Sequence, residues 1–379
     1  MRPVSDVWDA SVRAGYTPTV RAEVWRGDVL VRPVEVVSGE VSSQESSKVR
    51  TSATLTLALD PRPVTGASGM GAFVPTGDVH ALLDLDDTDI RLWVGMQRGD
   101  GTTEEVPVLW GRVTSYGRGG MYEPVRVAVS DYAHVMQQAR LVAPWVTPAG
   151  MPVVSEIRSL VQDVHPGIRV VDATGMVPAP VTRAATWERD RWDAVESLAS
   201  SIGCEVFFTG ERVLVVRPVP QVSASAVPVW TLDAGTETSV LTDVEVGADR
   251  PGWNAVVASS SASQEQPVSA VAYSPSWRAG VKRPRFYASP MLTTVAQCEE
   301  AATAILARSM RYARDVTPEA VPNYALEVGD LVAVTVPGDL DERRIVTGVR
   351  YPLGAVGPMG VDTRVAVGVE TTLSVGDLS

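Results

Sequence analysis

The stretch from 190 to 218 constrains the fold most, because two different periodicities follow one another within it. Its first part carries apolar residues at steps of three and four, the spacing of one helix face: Trp192, Val195, Leu198, Ala199 and Ile202. Asp190 stands at the N-cap position before this pattern, and Gly203 follows it as a residue suited to the left-handed C′ conformation. The sequence therefore predicts a helix that ends at Gly203.

After Gly203 the pattern changes to the two-residue alternation of a strand. Cys204, Val206 and Phe208 share one face, and residues 209 to 212 supply a glycine-containing turn. The run from 213 to 216 is rich in β-branched residues and returns as a second strand. We therefore predict a helix followed by a β-hairpin, with Trp192 buried between them.

Composition narrows the class of protein. The chain has 379 residues, 45% of them hydrophobic and 21% charged, which suits a folded protein of two or three domains. The net charge of −12 argues against a protein that binds the phosphate backbone of nucleic acids, because such binding needs clustered basic side chains. Lys48 and Lys282 are the only lysines, a bias that suggests an actinobacterial host or its phage. We expect neither a signal peptide nor a membrane span, since no run approaches the ~18 apolar residues that crossing requires.

The whole chain divides into three predicted domains that differ in their sequence patterns, 1–143, 144–220 and 221–379. The first is β-rich, with strands predicted at 19–25, 28–37, 49–59, 90–97, 105–116 and 122–129, a polar loop at 38–47 and a short closing helix. The second is α+β, with a helix at 153–164 and a strand at 168–171 before the helix-hairpin stretch. The third has strands at 240–246, 254–260, 268–273, 317–321, 331–336, 344–349 and 361–369, and a long helix that starts at Thr294 with Gln297 in a capping box.

Several side chains suggest chemistry, yet none completes a site. His80, His134 and His165 each lack a second ligand at metal spacing. The acidic run from Asp84 to Asp89 could bind calcium or supply a glycosidase pair, but it lacks the glycine and distal glutamate of an EF-hand loop, so an acidic turn before a strand is the preferred interpretation. Gly66 to Gly71 lacks the lysine of a phosphate loop and is interpreted as a flexible loop. We therefore predict no catalytic, cofactor or metal residues.

Tryptophan, cysteine and one tripeptide receive similarly plain interpretations. Trp93 and Trp110 lie in predicted strands, where core positions are more common than sugar platforms. Cys204 and Cys298 are expected to be buried free thiols, with a disulfide as the alternative. The Arg-Gly-Asp triplets at 26–28 and 98–100 are interpreted as turns.

Two segments carry a resemblance to a known family. WDAVESLASSIGCEVFFTGERVLVVRP, from 192 to 218, resembles the helix-hairpin of phage tail hub proteins of the late-control-D-like and baseplate-hub-like family. YALEVGDLVAV, from 324 to 334, is similar to that family's late strand, which follows a Gly-Asp turn. The resemblance implies an α+β, mainly β fold in which two β-barrel-like domains flank an α+β insert.

The same resemblance implies a function without catalysis. Such hubs are homotrimeric rings in the virion tail tip, made in the bacterial host cytoplasm, that connect the tail tube to the tip complex and surround the channel. The implied partners are further copies of the chain, the distal tail protein, the tape-measure protein and other tail-tip proteins, with neither nucleic-acid recognition nor membrane insertion. The alternatives are a hub of a contractile injection system, a tail-associated cell-wall-degrading enzyme, and a receptor- or carbohydrate-binding tail module.

Overall fold

The computed structural model describes most of the chain. The described residues are 1–58, 82–120, 123–175, 180–181, 184–220, 226–235, 239–247, 253–260, 267–274, 277, 281–309, 315–354 and 357–365. His80, the Gly66 to Gly71 segment and nearly all of the linker at 221–226 lie outside them.

The N-terminal β region contains six strands: β1 (Thr17–Arg26), β2 (Val29–Gln44), β3 (Thr51–Ala58), β4 (Thr88–Gln97), β5 (Thr103–Gly117) and β6 (Val125–Asp131). They pair in the order β1-β4-β5-β6-β3-β2, and β2 also pairs with β1, so the pairings form a closed circuit. Alternate residues of these strands, such as Leu55 and Leu57, are fully buried. The period-two pattern thus places one face of the circuit on the core.

The polar loop predicted at 38–47 is wrong for most of its length, because β2 continues to Gln44. Residues 35 to 43 pair with β3, and residues 39 to 44 also pair with β19 (Leu340–Leu353). Hydrogen bonds to two neighbouring strands satisfy the backbone here whatever the side chains are. The serine-rich composition is therefore overridden by tertiary pairing. The strand that follows the acidic run also begins earlier than predicted, since β4 starts at Thr88 and includes Asp89.

The C-terminal β region is built around β19 (Leu340–Leu353). Its other strands are β12 (Trp230–Asp233), β13 (Leu241–Gly247), β17 (Asp315–Ala320), β18 (Leu331–Val336) and β20 (Met359–Val365). β19 pairs with β18, with β20 and, through residues 348 to 353, with β2. One sheet of twelve strands and one apolar core therefore run through both β regions.

A short helix that the sequence did not predict joins these regions at the start of the chain. It is α1 (Trp8–Ala14), and the buried Trp8 indole donates a hydrogen bond to Asn323 Oδ1 at 2.8 Å. With seven residues and no side-chain cap, α1 offers little periodicity to detect.

The first helix–sheet unit consists of α2 (Tyr132–Gln138), α3 (Val153–Gln162), α4 (Arg191–Ser201) and the sheet of β8 (Val170–Asp172), β10 (Cys204–Phe208) and β11 (Leu214–Pro218). Beside them β7 (Trp145–Thr147) pairs with β9 (Ala185–Trp187). The predicted helix-hairpin is confirmed, since Trp192 is 1% exposed and stacks on Phe208 with ring centroids 5.9 Å apart. Gly203 has the predicted positive φ of 68°. Asp190 occupies the N-cap position, but its side chain makes no capping hydrogen bond.

The second helix–sheet unit has its own core. It contains β14 (Ala255–Ser259), β15 (Ser269–Tyr273), β16 (Pro284–Ala288) and α5 (Val295–Ser309). The predicted capping box is confirmed, because the Gln297 amide donates to Thr294 Oγ1 and the Thr294 amide donates to Gln297 Oε1, both at 3.2 Å. β16 was not predicted.

The fold is mainly β, as the sequence predicted. The three domain boundaries stay predictions. Among the described residues, no helix is long and apolar enough to cross a membrane.

Candidate functional site: the junction of the β regions and the first helix–sheet unit

A buried arginine at the tip of the β10–β11 hairpin joins this unit to the N-terminal β region. Arg212 closes the predicted turn with φ +60°, so the left-handed residue is Arg212 and not Gly210. Its guanidinium pairs with Asp28, donates to the Tyr132 hydroxyl at 3.1 Å and lies 4.3 Å from the Trp110 ring centroid. The Arg212 side chain is only 7% exposed, so these contacts replace most of its hydration.

The partners of Arg212 belong to a larger buried network. The Asp89 side chain is fully buried and accepts hydrogen bonds from Arg112 Nε at 2.6 Å and from the Tyr132 hydroxyl. Burial raises the pKa of Asp89, although Arg112 and Tyr132 oppose this effect. Burial next to Asp89 also raises the pKa of Tyr132 to about 12. Most of the acidic run is exposed as expected, but Asp89 is a structural carboxylate inside β4.

The turn itself lies directly against β5. A Cβ atom at Gly210 would lie 2.4 Å from the Pro107 carbonyl oxygen, a distance that real side chains do not tolerate. Glycine is therefore required at this position for close approach to a neighbouring backbone rather than for a left-handed conformation.

Arginine and tryptophan side chains alternate on the outer face of β1, β4 and β5. The Arg21 guanidinium lies 3.6 Å from the Trp93 ring centroid, and that of Arg91 lies 4.3 Å from Trp93 and 4.7 Å from Trp110. Trp93 is buried, yet it lies outside the apolar cores, because Arg21 and Arg91 cover it. Its predicted burial is confirmed. Cation–π contacts of this kind contribute about 0.5–2 kcal/mol each.

A second buried ion cluster ties the unit to both β regions. The Glu205 carboxylate accepts from Arg50 at 2.8 Å and from Arg217 Nε at 2.7 Å, and its side chain is 3% exposed. Arg50 belongs to the N-terminal β region, whereas Arg217 also donates to the Val328 carbonyl oxygen, before β18, at 3.0 Å. Both guanidiniums stack on Phe207, at 4.0 Å and 4.6 Å. One carboxylate thus connects three parts of the chain.

A small cleft opens beside Glu205. Its lining includes Lys48, Glu196 and Cys204. Nearby, Arg364 pairs with Glu45 at 3.5 Å and donates to the Pro220 carbonyl oxygen at 3.2 Å. Arg364 thus joins the C-terminal β region to the end of β2 and to the segment that follows β11.

The other residues considered in the sequence occupy structural positions. His134 bonds Gln138 at 2.9 Å on the surface of α2. His165 packs edge-on against Tyr132, where burial and Arg212 lower its pKa. Cys204 and Cys298 are both buried and free, as expected. The Arg-Gly-Asp triplets occupy the β1–β2 and β4–β5 turns, as predicted.

The junction is suited to holding surfaces together. Its carboxylates and guanidiniums are committed to one another, and within the described residues no three His, Cys, Asp or Glu side chains form a group that could hold a metal ion. Sequence reasoning missed Glu205 and Arg212, because Arg50, which pairs with Glu205, and Asp28, which pairs with Arg212, each lie more than a hundred residues away. The one local signal was a charged pair, Glu205 and Arg217, at opposed positions of a predicted hairpin.

Solved structures share the fold of this chain. A tail protein from Neisseria meningitidis MC58 is 16% identical with a TM-score of 0.62, and the match covers 91% of this chain and 96% of that one. The 43 kDa tail protein of prophage MuSo2 from Shewanella oneidensis is 12% identical with a TM-score of 0.58, covering 92% and 98%. A chain of the Francisella PdpA–VgrG complex is 7% identical with a TM-score of 0.53, covering 92% of this chain and 58% of that one. No protein-family model and no curated protein sequence matches this chain.

Proposed function

We propose that this chain is a structural protein of a phage tail tip, a ring-forming hub that connects the tail tube to the tip complex and surrounds the channel. The observation that carries the proposal is the reciprocal match to two tail proteins, which spans more than nine tenths of this chain and of each of theirs. The shared fold therefore includes both β regions and both helix–sheet units. A catalytic role finds no support in the junction, where the charged groups pair with one another.

The proposed assembly is a homotrimer. Closed rings repeat one heterologous contact between identical subunits, and the tail-hub resemblance indicates three copies. The proposed neighbours are the distal tail protein, the tape-measure protein and other tail-tip proteins. The protein is made in the host cytoplasm and ends in the virion tail tip.

The junction suits a mechanical role. A tail tip must keep its shape while the tube above it transmits force and its contents pass through. Glu205 fastens the first helix–sheet unit to the N-terminal β region through a buried pair with Arg50, and removal of one partner of such a pair typically costs about 3–5 kcal/mol. Arg212 adds a second link through its pair with the exposed Asp28. We infer that each subunit moves as one body in the ring.

The acidic composition fits a channel that does not retain its contents. Carboxylates facing the channel would repel DNA phosphates, and a net charge of −12 that serves only solubility is the alternative. Both interpretations predict no duplex binding in a gel shift at low salt. Micromolar binding that weakens steeply as salt rises would contradict them, because it would reveal counterion release.

A hub in a contractile injection system is the second candidate. The likeness to a chain of a VgrG-containing complex favours it, although that match covers 58% of the longer chain. The two candidates share the ring and differ in the particle that carries it.

Labelling particles with an antibody to this chain tests the proposed function. We expect label at the tip of the tail, and the presence or absence of a capsid on the labelled particles distinguishes the two candidates. Label along the tube, on the capsid or on no particle would contradict a hub role. Lysis of purified cell walls by the protein would instead support an enzyme.

A further inference from the structure

Two strand edges of the chain carry opposite charges. Within the part of the chain that the structure describes, β13 pairs only with β17, and β16 pairs only with β14. Each therefore presents one row of backbone groups without a neighbouring strand. Such edges are templates for pairing with another chain, and proteins commonly restrict them by placing charges there.

The β13 edge is acidic and partly apolar. Asp243 and Glu245 are its only charged residues, and both are exposed. Val244, which alternates with them, packs against the core shared by the β regions, and Val246 follows on the same face at 42% exposure. One face of β13 thus carries carboxylates, and the other carries valines that the chain covers only in part.

The β16 edge is basic and has the matching arrangement. Arg285 is the charged residue of β16, Lys282 and Arg283 come just before the strand, and no acidic residue lies between 281 and 288. Phe286 alternates with Arg285 and is 75% exposed. The Arg285 guanidinium lies 4.7 Å from the Trp253 ring centroid, which holds it at this edge. One face of β16 thus carries arginine, and the other carries a large exposed apolar side chain.

We propose that β13 of one copy pairs with β16 of the next copy, so that this edge-to-edge contact links subunits of the ring. The inference rests on the proposed ring and identifies its contact. Pairing would place Asp243 and Glu245 beside Arg285, and would cover Val246 and Phe286 on the opposite face. Contact between two β13 edges or two β16 edges brings like charges together, which opposes two-fold pairing. The favoured contact is heterologous, the type that a closed ring repeats.

Charge reversal with compensation tests the pairing without knowledge of its register. The acidic edge is reversed by Asp243→Lys with Glu245→Lys, and the basic edge by Lys282→Glu with Arg285→Glu. We expect each reversal alone to lower the number of copies incorporated per purified tail at least tenfold. The variant that carries all four substitutions should restore the wild-type number of copies. Arg140→Glu is the matched control. Arg140 follows α2, its side chain is 72% exposed, and it is far from both edges in sequence. This variant should assemble like wild type.

The outcomes separate this inference from the function on which it depends. Melting curves of the reversed proteins, which alter exposed side chains only, should match wild type and exclude misfolding. If wild-type tails hold a ring and either reversal assembles normally, or the fourfold variant does not recover, the pairing is wrong while the hub role stands. If wild-type tails contain a single copy, the hub role itself fails.

A disulfide test adds direct proximity. In tails that carry both Glu245→Cys and Arg285→Cys, oxidation should link neighbouring chains into reducible multimers of up to three. Neither single variant should do so, and the native Cys204 and Cys298 are buried. If this double variant gives only monomers, and double variants with the two cysteines moved to adjacent positions also give only monomers, the proposal is wrong.

Discussion

The two helix–sheet units have similar sheets and different attachments. In each, a central strand has one antiparallel and one parallel neighbour: β11 lies between β10 and β8, and β14 between β15 and β16. The first unit packs aromatic rings in its core and directs charged side chains into the rest of the chain. The second packs α5 through alanines, and its basic side chains lie at an exposed edge.

This difference separates two uses of charge. Buried charges such as Glu205 and Arg212 require partners fixed within the subunit, since an unpaired buried ion is strongly unfavourable. Exposed charges such as Arg285 contribute little to folding and remain able to select a partner. The first unit therefore stabilises the subunit, and the second is suited to contacts between subunits.

Truncating the aromatic core of the first unit should have the largest effect. Trp192→Ala removes a buried indole that stacks on Phe208, and such changes typically cost about 3–5 kcal/mol. Thermal melting should show a clear decrease in Tm. Val295→Ala, at an exposed position of α5, is the control and should leave the curve nearly unchanged. Equal, small shifts from both variants would show that the first unit's core is not what stabilises it.

Neutralising Glu205 should come next. Glu205→Gln keeps the shape but leaves Arg50 and Arg217 without their shared anion, so we expect a loss of about 3 kcal/mol in the free energy of unfolding. Urea denaturation measures it. The exposed Glu188→Gln is the matched substitution and should change stability by less than about 0.5 kcal/mol. If Glu205→Gln leaves the free energy of unfolding unchanged, the buried cluster does not stabilise the protein.

A methyl group at the hairpin tip should have an intermediate effect. Gly210→Ala forces its Cβ against the Pro107 carbonyl, and overpacking of this kind costs about 1–3 kcal/mol. Gly99→Ala adds the same methyl group where no atom lies within 4 Å. If the two variants unfold at the same denaturant concentration, the hairpin tip does not press on β5.

The two helix N-termini should respond differently and weakly. Thr294→Ala removes the capping bond of α5 and should cost about 1 kcal/mol. Asp190→Ala, at the N-cap of α4, removes no capping bond and should cost less. Denaturant midpoints of the two variants decide the order, and a larger loss for Asp190 would reverse this part of the comparison.

How much of this was visible in the sequence depended on the range of the interactions. The helix-hairpin from 190 to 218 and the Thr294 capping box were predicted correctly, because their interactions are local. Residues within four positions of one another determine the helix and its cap, and one short turn joins the two strands of the hairpin. The extension of β2 to Gln44 was not predicted, because its hydrogen bonds come from β3 and, for residues 39 to 44, from β19, about 300 residues further along the chain. The junction at Glu205 and Arg212 escaped for the same reason. A charged residue in a predicted hairpin gives no indication of whether a distant residue of opposite charge pairs with it.

The number and arrangement of copies in an assembled tip decide whether this chain is a ring-forming hub. A three-dimensional image reconstruction of purified tails should show three copies of this chain in a closed ring around the channel. Within each copy, the first helix–sheet unit should lie against both β regions at Glu205 and Arg212. A single copy per tip, or six equivalent copies, would contradict the account.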